Sequence, residues 1–345
     1  MHERSFHTRR QALGLGASLG AACLTDGLKI TSSVAQPMAP LKVVNSAGVV
    51  GGAMQAVMKE RGYGGEFGLD LTYLNVADGS KIISGLLGGD ADVCMWSGFP
   101  QVLPAIERGG KLRIIAGALI VPVQAVYSAK PDIKSVLDLA GKTIGSGSPG
   151  SLLHQAMVAL LRKHGINESK VQFVNIGASP DVFRGIVRGT VDAGLAEVDV
   201  FDQQEQFGVH VLKEGQLWDE LPNFTWQAAY TTTQVISQKR DLLVRALAAH
   251  AKLYRYVSAP ESWESFSRGR TAFAGKDDPV PARTYWNFIQ RRQPFAVDLV
   301  LNEERINWVQ ELNVSLGLQR RVVPYEQVAD MSIARDALRL VGTAK

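Results

Sequence analysis

The chain has 345 residues, 46% of them hydrophobic, 20% charged and 8% aromatic, with a formal net charge of +4. This is ordinary globular usage, enough for about two core-bearing units, and it excludes a disordered or low-complexity chain. No apolar run reaches the ~18 residues that cross a bilayer, which excludes a multi-span transporter, and so slight a charge excess is not by itself a nucleic-acid signal.

Residues 1–35 read as an export signal. Arg9 and Arg10 stand before a mildly apolar Gly/Ala-rich stretch at 12–24, and Ser33-Val34-Ala35 supplies small residues before Gln36. A charged start, a short apolar core and a small-residue end make a secretory signal; the paired arginines resemble the twin-arginine form, an address for export of a folded protein. A basic helix docked on a cytosolic protein would need an amphipathic period that the segment lacks. Cys23 follows Leu19-Gly20-Ala21-Ala22, with Gly20 where a lipoprotein cleavage site usually has a large aliphatic residue, so lipid anchoring is the lesser expectation. Without residues 1–35 the balance is 33 basic to 31 acidic, or +2. Cys94 is then the one remaining cysteine, so no internal disulfide forms, and a domain of this size needs none.

Strands and helices then alternate. Strands are predicted at 41–46, 69–76, 92–96 and 112–116, with helices at 51–61, 80–87 and 99–108. A second series has strands at 143–146, 171–176, 193–196 and 209–213 and helices at 151–164, 180–188 and 200–207. The two series align without gaps at an offset of 100 residues: Gly85, Gly89 and Asp92 match Gly185, Gly189 and Asp192, and the apolar positions agree. Each series is a strand–helix–strand–helix–strand unit, which builds an open, mostly parallel sheet with helices on both faces. The β-prone stretches at 123–128 and 226–233 read as paired strands crossing between two lobes. Beyond Lys239 the pattern is helical: Leu243, Leu247, His250 and Tyr254 share a face, and a further helix covers 304–316. These helices most simply pad the first lobe. The expected organisation is α/β, with 41–125 and 230–345 forming lobe 1 and 126–229 forming lobe 2.

In open α/β sheets, ligands bind beyond the carboxyl ends of the strands, where helix N-termini offer free N–H groups. Small polar residues occupy those points: Ser46, Asp78-Gly79 and Trp96-Ser97 in the first series, and Ser146 to Ser151, Ser179 and Glu197 in the second. Ser148-Pro149 and Ser179-Pro180 read as helix caps followed by proline at the first helical position. At Ser148, Gly150, Ser151 and Leu152 the added glycines let a ligand approach the backbone. Trp96 could stack on a ligand or fill a core, and Glu197 could pair with a ligand or with its own helix start. Catalytic patterns are missing. Gly145 and Gly150 have phosphate-loop spacing, but Ser151-Leu152 stands where a lysine and a hydroxyl residue are required. Beyond the export signal there is no G-x-S-x-G elbow. His154, His164, His210 and His250 show no metal-ligand spacing, so neither a catalytic set nor a metal or cofactor site is expected. Arg291-Arg292 and Arg320-Arg321 read as solvated pairs.

These features together resemble a periplasmic substrate-binding protein of an ABC transporter, with the type II two-lobe fold. Leu139-Ala140-Gly141-Lys142-Thr143-Ile144-Gly145-Ser146 is similar to the entry to the second lobe in the nitrate/sulfonate/taurine-binding family, which includes binders of pyrimidine precursors. Gly88-Gly89-Asp90-Ala91-Asp92-Val93 resembles that family's turn into the third strand, and Gly98-Phe99-Pro100-Gln101 lies where its third ligand loop falls. The resemblance spans about residues 41–260. It implies two lobes closing on a small ligand and delivery to a membrane permease driven by an ATPase, by a periplasmic monomer that binds no nucleic acid. Carried over by position, the ligand-binding residues are Ser46, Trp96, Ser97, Ser148, Gly150, Ser151, Leu152 and Glu197, with Asp78 and Trp226 as weaker additions. The loops at 45–50, 96–99 and 146–152 hold no Arg or Lys, which favours an organic ligand with one anionic or polar end over a small inorganic anion. The alternatives are an enzyme on the same fold, related to pyrimidine-precursor synthases whose cysteine-rich motif is absent here, and the sensing half of a transcription regulator.

Overall fold

A computed structural model of the chain describes residues 37–76 and 79–342. The export signal with Cys23, and Asp78, lie outside the described residues. In chain order the strands are β1 (Ala39–Ser46), β2 (Leu69–Val76), β3 (Val93–Ser97), β4 (Leu112–Gly117), β5 (Gln124–Ser128), β6 (Thr143–Ser146), β7 (Gln172–Asn175), β8 (Ala193–Glu197), β9 (His210–Gln216) and β10 (Ala228–Thr232). They make two five-stranded sheets, ordered β2-β1-β3-β10-β4 and β7-β6-β8-β5-β9. One strand in each, β10 and β5, runs antiparallel to both of its neighbours. β3, β5 and β10 are buried at every residue, as central strands covered by helices on both faces must be, whereas the edge strand β2 is mostly exposed or half-buried.

The repeat read from the sequence is a repeat of physical parts. The Asp92 carboxylate accepts from the Lys42 N–H at 3.0 Å, and the Asp92 N–H donates back to the Lys42 carbonyl at 2.9 Å. Asp192 does the same to Thr143, at 2.8 Å in both directions. Each aspartate thus ties the start of β3 or β8 to β1 or β6 and fixes register in its sheet. Gly89 and Gly189 end their helices in the left-handed region, at φ 82° and 72°, where a side chain is strained.

The stretches at 123–128 and 226–233 are not paired strands. Their cores are β5 and β10, each inserted into its own sheet. The chain pairs with itself one step away, in the connections, where the Leu119 N–H meets the Gln227 carbonyl at 3.2 Å and the Gln227 N–H meets the Leu119 carbonyl at 2.8 Å. The helix expected at 99–108 is limited to Val102–Glu107, and the one at 200–207 is a 3-10 turn, Val198–Gln203, run into a single helical turn, Gln204–Phe207.

The C-terminal helices do more than pad. Helix Thr233–Val257 begins before Lys239, capped by the Thr232 hydroxyl, and kinks at Lys239. Helix Trp263–Ala274 lies on helix Val49–Glu60, with Gly269 against the backbone of Ala53. Helices Pro279–Arg292 and Glu303–Ser315 reach the second lobe. Thr284 donates to Asp202 at 2.6 Å, Arg292 pairs with Asp219 at 2.8 Å, and Arg162 donates to Ser315 at 2.6 Å.

Candidate ligand site between the lobes

The carboxyl ends of β1 and β3 bring Ser46 and Ser97 together, their hydroxyls 2.7 Å apart. Ser97 is buried, Ser46 half-buried, and Ala47 and Gly48 beside them are exposed. Trp96 packs its ring 5.5 Å from Phe295 and 6.1 Å from Tyr254 in the first lobe, where it borders a small cleft with Asn45, Gly51 and His250. Trp226 is also packed away, 5.9 Å from Phe224, which in turn meets Trp308.

At the same edge of the second lobe the turn after β6 presses on the first. Leu152 lies against Gly98, whose missing side chain would stand 3.1 Å from the Leu152 methyl, and Gly150 lies against Leu318. Gly150 is held at φ +80°, and its N–H is spent on His154 Nδ1 at 3.2 Å. Ser151 caps its helix by accepting from the His154 N–H, and its own N–H goes to the Ser148 carbonyl. The glycine-rich turn therefore shapes a contact between the lobes and satisfies much of its own backbone. Ser148 and Pro149 remain exposed at its rim.

The lobes differ where they should be equivalent. Ser146 corresponds to Ser46 and Glu197 to Ser97, yet the buried Ser146 hydroxyl has no partner. Glu197 stands near Asp199, Arg270 and Tyr285. Asp199 pairs with Arg270 at 2.6 Å, both side chains largely buried, and the second guanidinium nitrogen, Nη1, has no partner. Arg270 comes from helix Trp263–Ala274 and Asp199 from the turn after β8, so the pair bridges the lobes.

Burial, reinforced by Asp199 and opposed by Arg270, pushes the Glu197 carboxyl up to about 8 from the ordinary 4.5. Burial drives the His250 imidazole down to about 4, although its ring nitrogen contacts the Ala246 carbonyl at 2.8 Å. The two act in opposite senses. From pH 4.5 to 8 folded Glu197 keeps a proton that the unfolded chain has released, so its contribution to stability falls as pH rises. From pH 4 to 6.5 the unfolded chain keeps a proton on His250 that the folded chain lacks, so that contribution rises with pH. The two offset below pH 6.5 and Glu197 acts alone above it. Stability measured by urea unfolding is expected to decline between pH 6.5 and 8, by at most about 1.4 kcal/mol per unit. Glu197→Gln is expected to remove that decline; a wild-type curve flat to pH 8 would contradict the assignment.

The family description "NMT1/THI5 like" matches residues 53–262. The chain belongs to the NMT1/THI5-like family. Solved structures share the fold of this NMT1/THI5-like chain at low identity. The alkanesulfonate-binding protein SsuA from Xanthomonas axonopodis pv. citri, bound to MOPS, aligns with a TM-score of 0.69 and 17% identity over 84% of this chain and 98% of that one. The periplasmic nitrate-binding protein NrtA from Synechocystis PCC 6803 gives 0.69 and 13% over 88% and 89%. The desulfurization enzyme DSZB gives 0.62 and 16% over 87% and 99%. No curated protein matches the sequence. Among the described residues no helix is long and apolar enough to cross a membrane, and no three His, Cys, Asp or Glu side chains group as metal ligands.

Sequence reasoning placed Asp199 in the strand-end segment Glu197-Val198-Asp199 but missed its partner Arg270, because only the packing of helix Trp263–Ala274 brings the arginine to the second lobe. It also missed Gln124 and Gln227, buried at the two crossings with carboxamide oxygens that have no partner.

Proposed function

We propose that this chain is the solute-binding component of an ABC-type importer. It is exported to the periplasm by the signal at 1–35, takes a small organic ligand between its lobes as a monomer, and hands it to a membrane permease coupled to an ATPase. One observation carries the reading: buried polar atoms without partners, among them Ser146 Oγ, Gln124 Oε1, Gln227 Oε1 and Arg270 Nη1, border the junction of the lobes at strand ends and bridging elements. A folded chain leaves such atoms open at a cost of about 1–3 kcal/mol each, which a bound ligand recovers. Fold likeness to SsuA and NrtA supports the same role.

The described residues give catalysis little to use. Cys94 is fully buried and its thiol is pushed up to about 12, so it is no nucleophile at neutral pH. Calorimetry and thermal-shift screening of the purified protein are expected to find a compound bound one-to-one and recovered unchanged. At 100 times its dissociation constant such a ligand adds about 2.7 kcal/mol. Chemical conversion of that compound would overturn the proposal in favour of an enzyme.

A further inference from the structure

A second repeat is set in the chain beside the first. Val123-Gln124-Ala125-Val126-Tyr127-Ser128 matches Trp226-Gln227-Ala228-Ala229-Tyr230-Thr231 at an offset of 103, with identical Gln, Ala and Tyr and a Ser/Thr exchange. The three-dimensional structure makes these positions equivalent. The Ser128 hydroxyl donates to the Asp192 carbonyl and the Thr231 hydroxyl to the Asp92 carbonyl, the two aspartates being themselves a repeat pair. β5 and β10 each run antiparallel within their sheets, so the glutamines before or at their starts fall at the carboxyl edges of the parallel strands. Gln124 sits across from Glu197, and Ala228, which follows Gln227, sits across from Ser97. That edge is where open α/β sheets hold ligands, and here it coincides with both crossings between lobes.

Gln124 is 2% exposed and Gln227 9%, and in each the carboxamide oxygen has no partner. In Gln124 the Nε2 end is the one that meets a neighbour. The Ser179 hydroxyl donates its one proton to the Leu195 carbonyl at 3.3 Å, so toward Gln124 it can only accept, and it takes the Nε2 hydrogen at 3.5 Å. The atom left over is an acceptor. The open acceptor recurs at one position of a repeat, once per lobe.

We infer that Gln124 and Gln227 are a matched pair of ligand contacts, one from each lobe, and that the ligand offers N–H or O–H donors to them. This rests on the binding-protein reading and narrows it. The ligand is an amine, amide or amino-substituted ring rather than a donor-free oxyanion. Its two donors reach both glutamines at once, so binding joins the lobes at their crossings.

The test uses the purified protein and its Gln124→Met and Gln227→Met variants. Methionine keeps the volume and removes the open oxygen. Unliganded, Gln227→Met is expected to melt at or above the wild-type temperature and Gln124→Met within about a degree of it, since beyond the open oxygen it gives up only the long Nε2 contact to Ser179 at 3.5 Å. Thermal shifts are then read with succinamide and benzamide against succinate, benzoate, nitrate and ethanesulfonate. The amides are expected to raise the wild-type midpoint and to bind each variant at least tenfold more weakly. Unliganded variants melting several degrees low would show the glutamines to be structural and end the inference. Nitrate or ethanesulfonate binding wild type and variants alike would end it too, while leaving the binding-protein reading intact. Turnover of a probe would overturn that reading instead.

Discussion

Replacing Arg270 by methionine is expected to cost the joined arrangement of the lobes about 3–5 kcal/mol, the usual penalty for removing one partner of a buried ion pair. The guanidinium lies 2.6 Å from Asp199, with its side chain 8% exposed. It also opposes the rise of the Glu197 carboxyl, which burial and Asp199 push up to about 8 and so keep protonated at neutral pH. Without it the Asp199 carboxylate is left unpaired beside Glu197 in a space that water enters poorly. The chain has a way to relieve it, because Arg270 and Asp199 belong to elements of different lobes. Parting the lobes hydrates Asp199 without unfolding either sheet, so much of the cost falls on closure. The variant is therefore expected to show a larger radius of gyration in solution scattering and to bind ligand at least a hundredfold more weakly. Arg270→Lys keeps a cation beside Asp199 and is expected to recover most of the loss. A methionine variant with wild-type scattering and wild-type affinity would show that the pair does not hold the lobes.

The parts of the fold legible in the sequence are those that local chemistry dictates. Glycines at 89 and 189 end helices because only a residue without Cβ takes φ 82° and 72° at low cost, and aspartates at 92 and 192 recur because each latches two strands. The parts that were not legible depend on faces and distances. β3 is buried on both faces, so alternation says nothing about where Trp96 points, and only the aromatic partners Tyr254 and Phe295 settle it. Ser46, Ser97, Ser146 and Glu197 are found at strand ends, as position in the sheet requires, but their differing hydrogen bonds are invisible until the two lobes are compared. Arg270 lies 71 residues beyond Asp199, on a helix whose register against helix Val49–Glu60 no periodicity reveals.

That register depends on two glycines, Gly52 beneath the Phe273 ring and Gly269 against Ala53. A Cβ on Gly269 would stand 2.8 Å from the Ala53 carbonyl oxygen and 3.2 Å from the Ala56 Cβ, and backbone cannot step aside as a long side chain can. Glycine within a helix costs about 1 kcal/mol relative to alanine, so propensity alone makes Gly269→Ala stabilising. Contact at 2.8 Å opposes it and wins: helices Val49–Glu60 and Trp263–Ala274 must separate, loosening Ser265 and Arg268 from Glu60, each now at 2.7 Å. Gly269→Ala is expected to lose about 1 kcal/mol and Gly269→Leu about 3 kcal/mol in urea unfolding, within the range for overpacked cores. The next residue is Arg270, so separation of the helices also draws the guanidinium from Asp199. The two sites are then coupled, and Gly269→Leu is expected to weaken ligand binding far less in an Arg270→Met background than in the wild type. Strict additivity of the two losses in affinity would mean that the helix contact and the ion pair between the lobes are independent. A Gly269→Ala variant more stable than wild type would mean that the helices slide to admit a methyl group.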